Sequence, residues 1–111
     1  MTSNPPVRRG QVWRATTPRG LKHTFVVIEA DAAMSTYPHT VVTAVCDTSG
    51  TAPDTLLSAP IEQPVPATVI GTQLHTVTAS FLSSGTYLGI VPPEEMEAVS
   101  RSIRLSLDLS D

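Results

Sequence analysis

The sequence predicts a mainly β protein with a C-terminal helix: a small, strongly bent barrel of short antiparallel strands. Three observations carry this. Two apolar, β-branched runs, FVVI at residues 25–28 and TVVTAVC at 40–46, are too short for ordinary helices and read as central strands. Ten prolines in 111 residues, with glycines between them, divide the chain into short pieces. Near the end, Met96, Val99, Ile103 and Leu107 recur at helical spacing and form one apolar stripe.

The elements follow in order. Residues 1–8 read as a flexible arm, because Pro5-Pro6 blocks regular structure, and residues 9–111 as one domain. In RRGQVWRAT the alternation puts Val12 and Arg14 on one face of a first strand (residues 10–16) and Gln11 and Trp13 on the other. Trp13 fits either the core or a base-stacking surface. Thr17-Pro18-Arg19-Gly20 is a turn, leading into the central strand KHTFVVIEA at 22–30. One helical turn at 31–34 then connects to the strand at 40–46. A plain antiparallel pairing about that connection sets Ala30 opposite His39 and His23 opposite Cys46. Residues 47–53, DTSGTAP, form a loop. Residues 55–59 read as a short strand, 61–66 as a connection or edge, and 67–73 as a strand running on toward His75, interrupted near Gly71. Residues 76–83 are polar and ambiguous, and 85–91 make the last strand. Pro92-Pro93-Glu94-Glu95 opens a helix over 93–107, since proline suits its first turn and carboxylates there oppose the dipole favourably.

Composition narrows the function classes. A net charge of −3 excludes a protein that is basic all over. Yet five of the seven cations, Arg8, Arg9, Arg14, Arg19 and Lys22, precede the first buried run and can present a local positive field to a polyanion. Charged residues are only 15% of the chain, which points to a surface covered by a second copy or a partner. A single cysteine excludes an internal disulfide and fits a reducing compartment. No run approaches the roughly 18 apolar residues of a membrane span, and MTSNPPVRRG lacks the apolar core of a secretory signal, so a cytoplasmic protein without membrane contact is expected. One Cys and three scattered His give no zinc spacing, and there is no Walker loop, GxGxxG or GxSxG; no cofactor or metal is expected.

The chemistry rests on few residues. Imidazoles, or an imidazole with a cation, can cleave RNA without a metal: one group takes the 2′-hydroxyl proton and another protonates the leaving oxygen. His23, beside Lys22 and near Arg19, suits that role, although an imidazole at a strand start is also an ordinary structural residue. Cys46 is a nucleophile or a small buried hydrophobe. Asp47-Thr48-Ser49-Gly50 binds phosphate or simply turns the chain.

The order of motifs resembles the MazF/PemK toxin family. RRGQVW (8–13) resembles the family's opening RGDVYW-type strand, and KHTFVVIEAD (22–31) its RPVLVVQND-type second strand. TVVTAVCDTS (40–49) resembles a third strand ending in small and hydroxyl residues. IGTQLHTVTASFL (70–82) is similar to the DQIRTVDKSRL-type segment, and the closing GIVPPEEMEAVSRSIRLSLDL (89–109) to the LSDEEMEEVDEALRISLGL-type helix. The resemblance covers nearly the whole chain from Arg8. It implies an SH3-like barrel of the MazF/CcdB type, a homodimer, and a metal-independent, sequence-specific endoribonuclease cleaving single-stranded RNA under control of a cognate antitoxin.

Two positions depart from the pattern. His23 stands where the family has its catalytic arginine, Cys46 stands where it has its catalytic threonine, and the covering loop is cut to residues 17–22. The expected catalytic set is therefore His23, Cys46 and Thr48, with Arg9, Arg19, Lys22, Gln73 and His75 contacting RNA. The alternative is a catalytically degenerate protein of the same fold that binds an antitoxin, RNA or a gyrase-type partner without cleavage. The ending LDLSD lacks the Trp-Gly-Ile-like tail expected of a gyrase poison.

Overall fold

In the computed structural model, which describes residues 4–107, six strands form one antiparallel sheet. The elements are β1 (Gln11–Thr16), β2 (Lys22–Val27), α1 (Asp31–Thr36), β3 (Thr40–Asp47), β4 (Ser58–Ile61), β5 (Ala67–Thr78), α2 (Ala79–Ser83), β6 (Thr86–Ile90) and α3 (Pro93–Ser106). The strand order is β4-β5-β3-β2-β1-β6. The sheet curls until its two edges approach each other. A Cβ on Gly89 of β6 would come within 2.5 Å of Pro64, just past β4, so only glycine permits this approach. Among the described residues, no helix is long and apolar enough to cross a membrane.

Strand alternation creates two cores, one on each face. Val12, Val26, Ala44, Cys46 and Val69 pack under Met96 and Val99 of α3. Trp13, Phe25, Val27 and Val41 pack on the other face with Met34 of α1 and Leu82 of α2. Trp13 is fully buried, tilts against Tyr87 at 5.2 Å and donates its indole N–H to Gln11 at 3.0 Å. It belongs to the core and is not a base-stacking surface. Of the α3 stripe, Met96 and Val99 are buried, Ile103 is partly buried and Leu107 is exposed, while Ser102 is buried beside the stripe.

The connection from β2 to β3 differs from the plain hairpin expected. The amides of both Ile28 and Glu29 donate to the Val42 carbonyl, at 3.1 and 3.3 Å, and the Glu29 carboxylate accepts the Val42 amide at 2.8 Å. Two residues thus oppose one, and the register moves by one. Thr24, not His23, faces Cys46, and Phe25 faces Val45. His23 therefore shares the face of Phe25, away from the core that holds Cys46.

Three further elements differ from the sequence expectation. The short strand lies at Ser58–Ile61 rather than 55–59 and carries Pro60, which an edge strand accommodates. β5 continues to Thr78, and α2 follows, with the Thr78 hydroxyl capping the Phe81 amide at 3.1 Å. Of the segment read as an arm, residues 1–3 lie outside the described residues. Residues 4–8 are tied to the domain: Asn4 donates to the Ser83 carbonyl at 2.7 Å, and the Gln11 amide bridges Pro6 and Arg8.

Candidate active site

The β1–β2 turn, the adjoining ends of β2 and β3, and the middle of β5 enclose a cleft with two compartments of about 430 Å³ each. The turn is short because the Thr17 amide donates to the Leu21 carbonyl at 2.8 Å while Gly20 takes φ +85°, open to glycine without strain. Pro18 and Thr17 of that turn form one wall of the first compartment.

The first compartment has an aromatic floor. The rings of Phe25 and Phe81 meet edge-on at 5.9 Å, and the imidazoles of His23 and His75 lie 6.0 and 6.4 Å from Phe25. Both phenylalanines of the chain and two of its three histidines meet in this one place. Phe25 is buried as part of the second core, Phe81 is half-buried, and both histidines are exposed to solvent. Such a floor offers flat apolar faces on which a base can stack.

The second compartment is polar. Lys22, Thr48, Ser49 and Thr51 line it, and it meets the first along His23, Val45 and Gln73. Asp47 organises its loop. The Ser49 hydroxyl donates to the Asp47 carboxylate at 2.6 Å, the Ser49 amide at 3.1 Å and the Ala52 amide at 2.9 Å. These bonds, that of the Ser49 hydroxyl first, hold the Asp47 carboxyl below its usual range and keep it ionised. Among the described residues, no group of three or more His, Cys, Asp or Glu side chains is placed to hold a metal ion.

The expected site residues divide. His23, Lys22, Thr48, Gln73 and His75 all line the cleft. Arg19 lines neither compartment but sits exposed on the turn at its mouth. Cys46 reaches the polar compartment's wall from the opposite face of the sheet, only 5% exposed, and burial pushes its thiol up to about 12. A thiol so held stays protonated at neutral pH, which favours the buried-hydrophobe reading of Cys46 over the nucleophile. Arg9 is removed from the cleft altogether. It lies at the opposite end of β1 from the turn, its guanidinium donating to the Ile28 carbonyl and to the Ser100 hydroxyl on α3. These bonds pin the start of the sheet to the helix.

Phe25 and Phe81 join the site only through the fold; in the sequence their one mark is scarcity, since the chain has just two phenylalanines.

No family model matches the sequence, and no curated protein matches it. Solved structures do. An endoribonuclease from a mycobacterial species superposes with a TM-score of 0.81 at 22% identity, over 96% of each chain. An endoribonuclease in complex with its cognate antitoxin, also mycobacterial, gives 0.82 at 22% identity, over 95% of this chain and 98% of the other. The MazE–MazF complex of Deinococcus radiodurans gives 0.75 at 11% identity, over 96% of this chain and 100% of the other. The chain has the MazF fold. At such identities the likeness concerns the backbone, and the cleft described above is this chain's own version of the MazF-fold surface.

Proposed function

We propose that this chain is the toxin of a type II toxin–antitoxin pair, an endoribonuclease that cleaves single-stranded RNA and works as a cytoplasmic homodimer under a cognate antitoxin. The observation that carries the reading is His23, which lines both compartments and so stands between a place for a base and a place for a phosphate. The MazF fold supports it, since the similar structures are endoribonucleases, one held by its cognate antitoxin. Exposed apolar side chains, Leu21, Leu56, Leu105 and Leu107 among them, fit a surface covered by partners.

In this reading a base stacks on Phe81, the half-buried ring of the floor, which a strand must be single to allow. Its phosphate lies by the Thr48 and Ser49 hydroxyls, with Lys22, and Arg19 from the turn, opposing the charge that grows on the phosphorane. His23 exchanges the proton of the 2′-hydroxyl, and Gln73 contacts the RNA where the compartments join. His23→Ala is expected to abolish growth inhibition and leave the dimer intact; a variant as toxic as the parent would refute the assignment. The resemblance also leaves room for binding without cleavage, since it implies that His23 and Cys46, the latter buried, stand where the family has its catalytic pair. That reading predicts RNA that is bound and left whole.

A further inference from the structure

His23 on β2 and His75 on β5 reach the aromatic compartment from the two strands that flank β3. Both imidazoles are exposed, and both lie within 6.4 Å of the same Phe25 ring, measured between centroids. They are the only titratable side chains among the ten residues that line this compartment; the rest are Thr, Pro, Phe, Val and Gln. Lys22 and Asp47 line the adjoining compartment, and Arg19 sits exposed on the turn. Asp47 is already committed to Ser49 and Ala52. Among the described side chains that line this compartment, these two imidazoles are the ones suited to general acid–base transfer.

We propose that His75 is the second acid–base residue of the site, paired with His23. This rests on the ribonuclease reading and deepens it. Neutral His23 takes the proton of the 2′-hydroxyl as that oxygen bonds to phosphorus. His75, protonated, gives its proton to the 5′-oxygen as the P–O5′ bond breaks. The products are a 2′,3′-cyclic phosphate and a 5′-hydroxyl, and no other reactant is consumed. The two imidazoles end with their protons exchanged and return through solvent, to which both are open. Such a pair makes the missing arginine and threonine unnecessary. A conformational anchor serves it as well: the fully buried Thr43 hydroxyl donates to the His75 carbonyl at 2.8 Å, fixing this point of β5 against β3.

The test uses the full chain and an RNA oligonucleotide spanning a cut mapped on a long single-stranded RNA. Initial rates are measured from acid to alkaline pH, alongside binding of the same oligonucleotide with a 2′-deoxy sugar at the cut. The parent is expected to give a bell-shaped rate profile. His75→Ala is expected to lose about 100-fold or more in rate, to lose one limb of the bell, and to bind within about threefold of the parent. Replacing the leaving 5′-oxygen by sulfur, which departs without a proton, is expected to restore most of the rate of His75→Ala and none of that of His23→Ala. Rescue of neither variant, or a His75→Ala profile that matches the parent's, overturns the pairing and leaves the ribonuclease reading standing. A binding loss with an unchanged rate at saturation makes His75 an RNA contact only, with the same consequence. A folded parent that cuts no RNA overturns both.

Discussion

Thr43 and His75 face each other across β3 and β5, and the Thr43 hydroxyl, fully buried, donates to the His75 carbonyl at 2.8 Å. A buried hydroxyl is retained at a cost unless its hydrogen bond is made, and here that bond holds the backbone that carries a cleft imidazole. Thr43→Val keeps the shape and removes the donor. It is expected to lower stability by about 1 kcal/mol in urea denaturation and to slow cleavage without weakening RNA binding.

The floor of the cleft can be probed without emptying the core. Phe81 is half-buried, whereas Phe25 is 4% exposed and its truncation would cost about 3–5 kcal/mol. Phe81→Ala is therefore the cleaner change. Loss of one stacking face is expected to raise the Kd for single-stranded RNA about tenfold, measured by anisotropy at fixed salt.

Cys46 is expected to behave as a core residue. Its thiol should react with a disulfide reagent at pH 8 far more slowly in the folded protein than in denaturant, and Cys46→Ala should still cleave RNA. The sign of its pH linkage follows from burial. The folded thiol ionises near 12 against an ordinary 9.0, so the folded state binds more protons between those values. Its contribution is full below pH 9 and declines as pH rises toward 12. Denaturation of parent and Cys46→Ala across that window should show the parent losing stability more steeply.

Asp47 acts in the opposite direction. Its carboxyl is lowered by the Ser49 hydroxyl, the Ser49 amide and the Ala52 amide, so its contribution is present above the ordinary carboxylate range and is lost as pH falls through the lowered value. Asp47→Asn is expected to lower the hydrogen-exchange protection factors of the Ser49 and Ala52 amides at neutral pH, and acidification of the parent to lower the same protection factors.

Gly71 tests the packing of β5 under α3. A Cβ there would meet the Leu57 carbonyl at 2.7 Å and the Ser102 carbonyl at 3.0 Å, backbone atoms that cannot swing aside. Gly71→Ala is expected to destabilise by about 1–3 kcal/mol, read as a lower midpoint in urea.

Much of the fold is legible because its signals are local. The runs at Phe25–Val27 and in β3, the Pro18–Gly20 turn, and proline with two glutamates at the start of α3 each act within a few residues. What the sequence hides is set at a distance. The register of β2 on β3 depends on Glu29 reaching the Val42 amide, a contact that inserts the extra residue and turns His23 away from Cys46. The place of β4 depends on Pro60 lying at an exposed edge, which composition alone argues against. In the site, His23, Lys22, Thr48, Gln73 and His75 are legible as candidates, and all of them line the cleft. The aromatic floor is not legible, because Phe25 and Phe81 meet only once β2 and α2 are folded together. Arg9 reads as one more cation of a basic segment until the structure docks it on Ser100.

The proposed function requires that this cleft cuts RNA. The most direct measurement incubates the purified chain, free of antitoxin, with a long single-stranded RNA in EDTA and maps the new ends. Discrete cuts bearing 2′,3′-cyclic phosphate or 3′-phosphate with 5′-hydroxyl ends are the predicted result. RNA left intact by a sample shown to be folded and dimeric would contradict it and leave a MazF fold that binds without cutting.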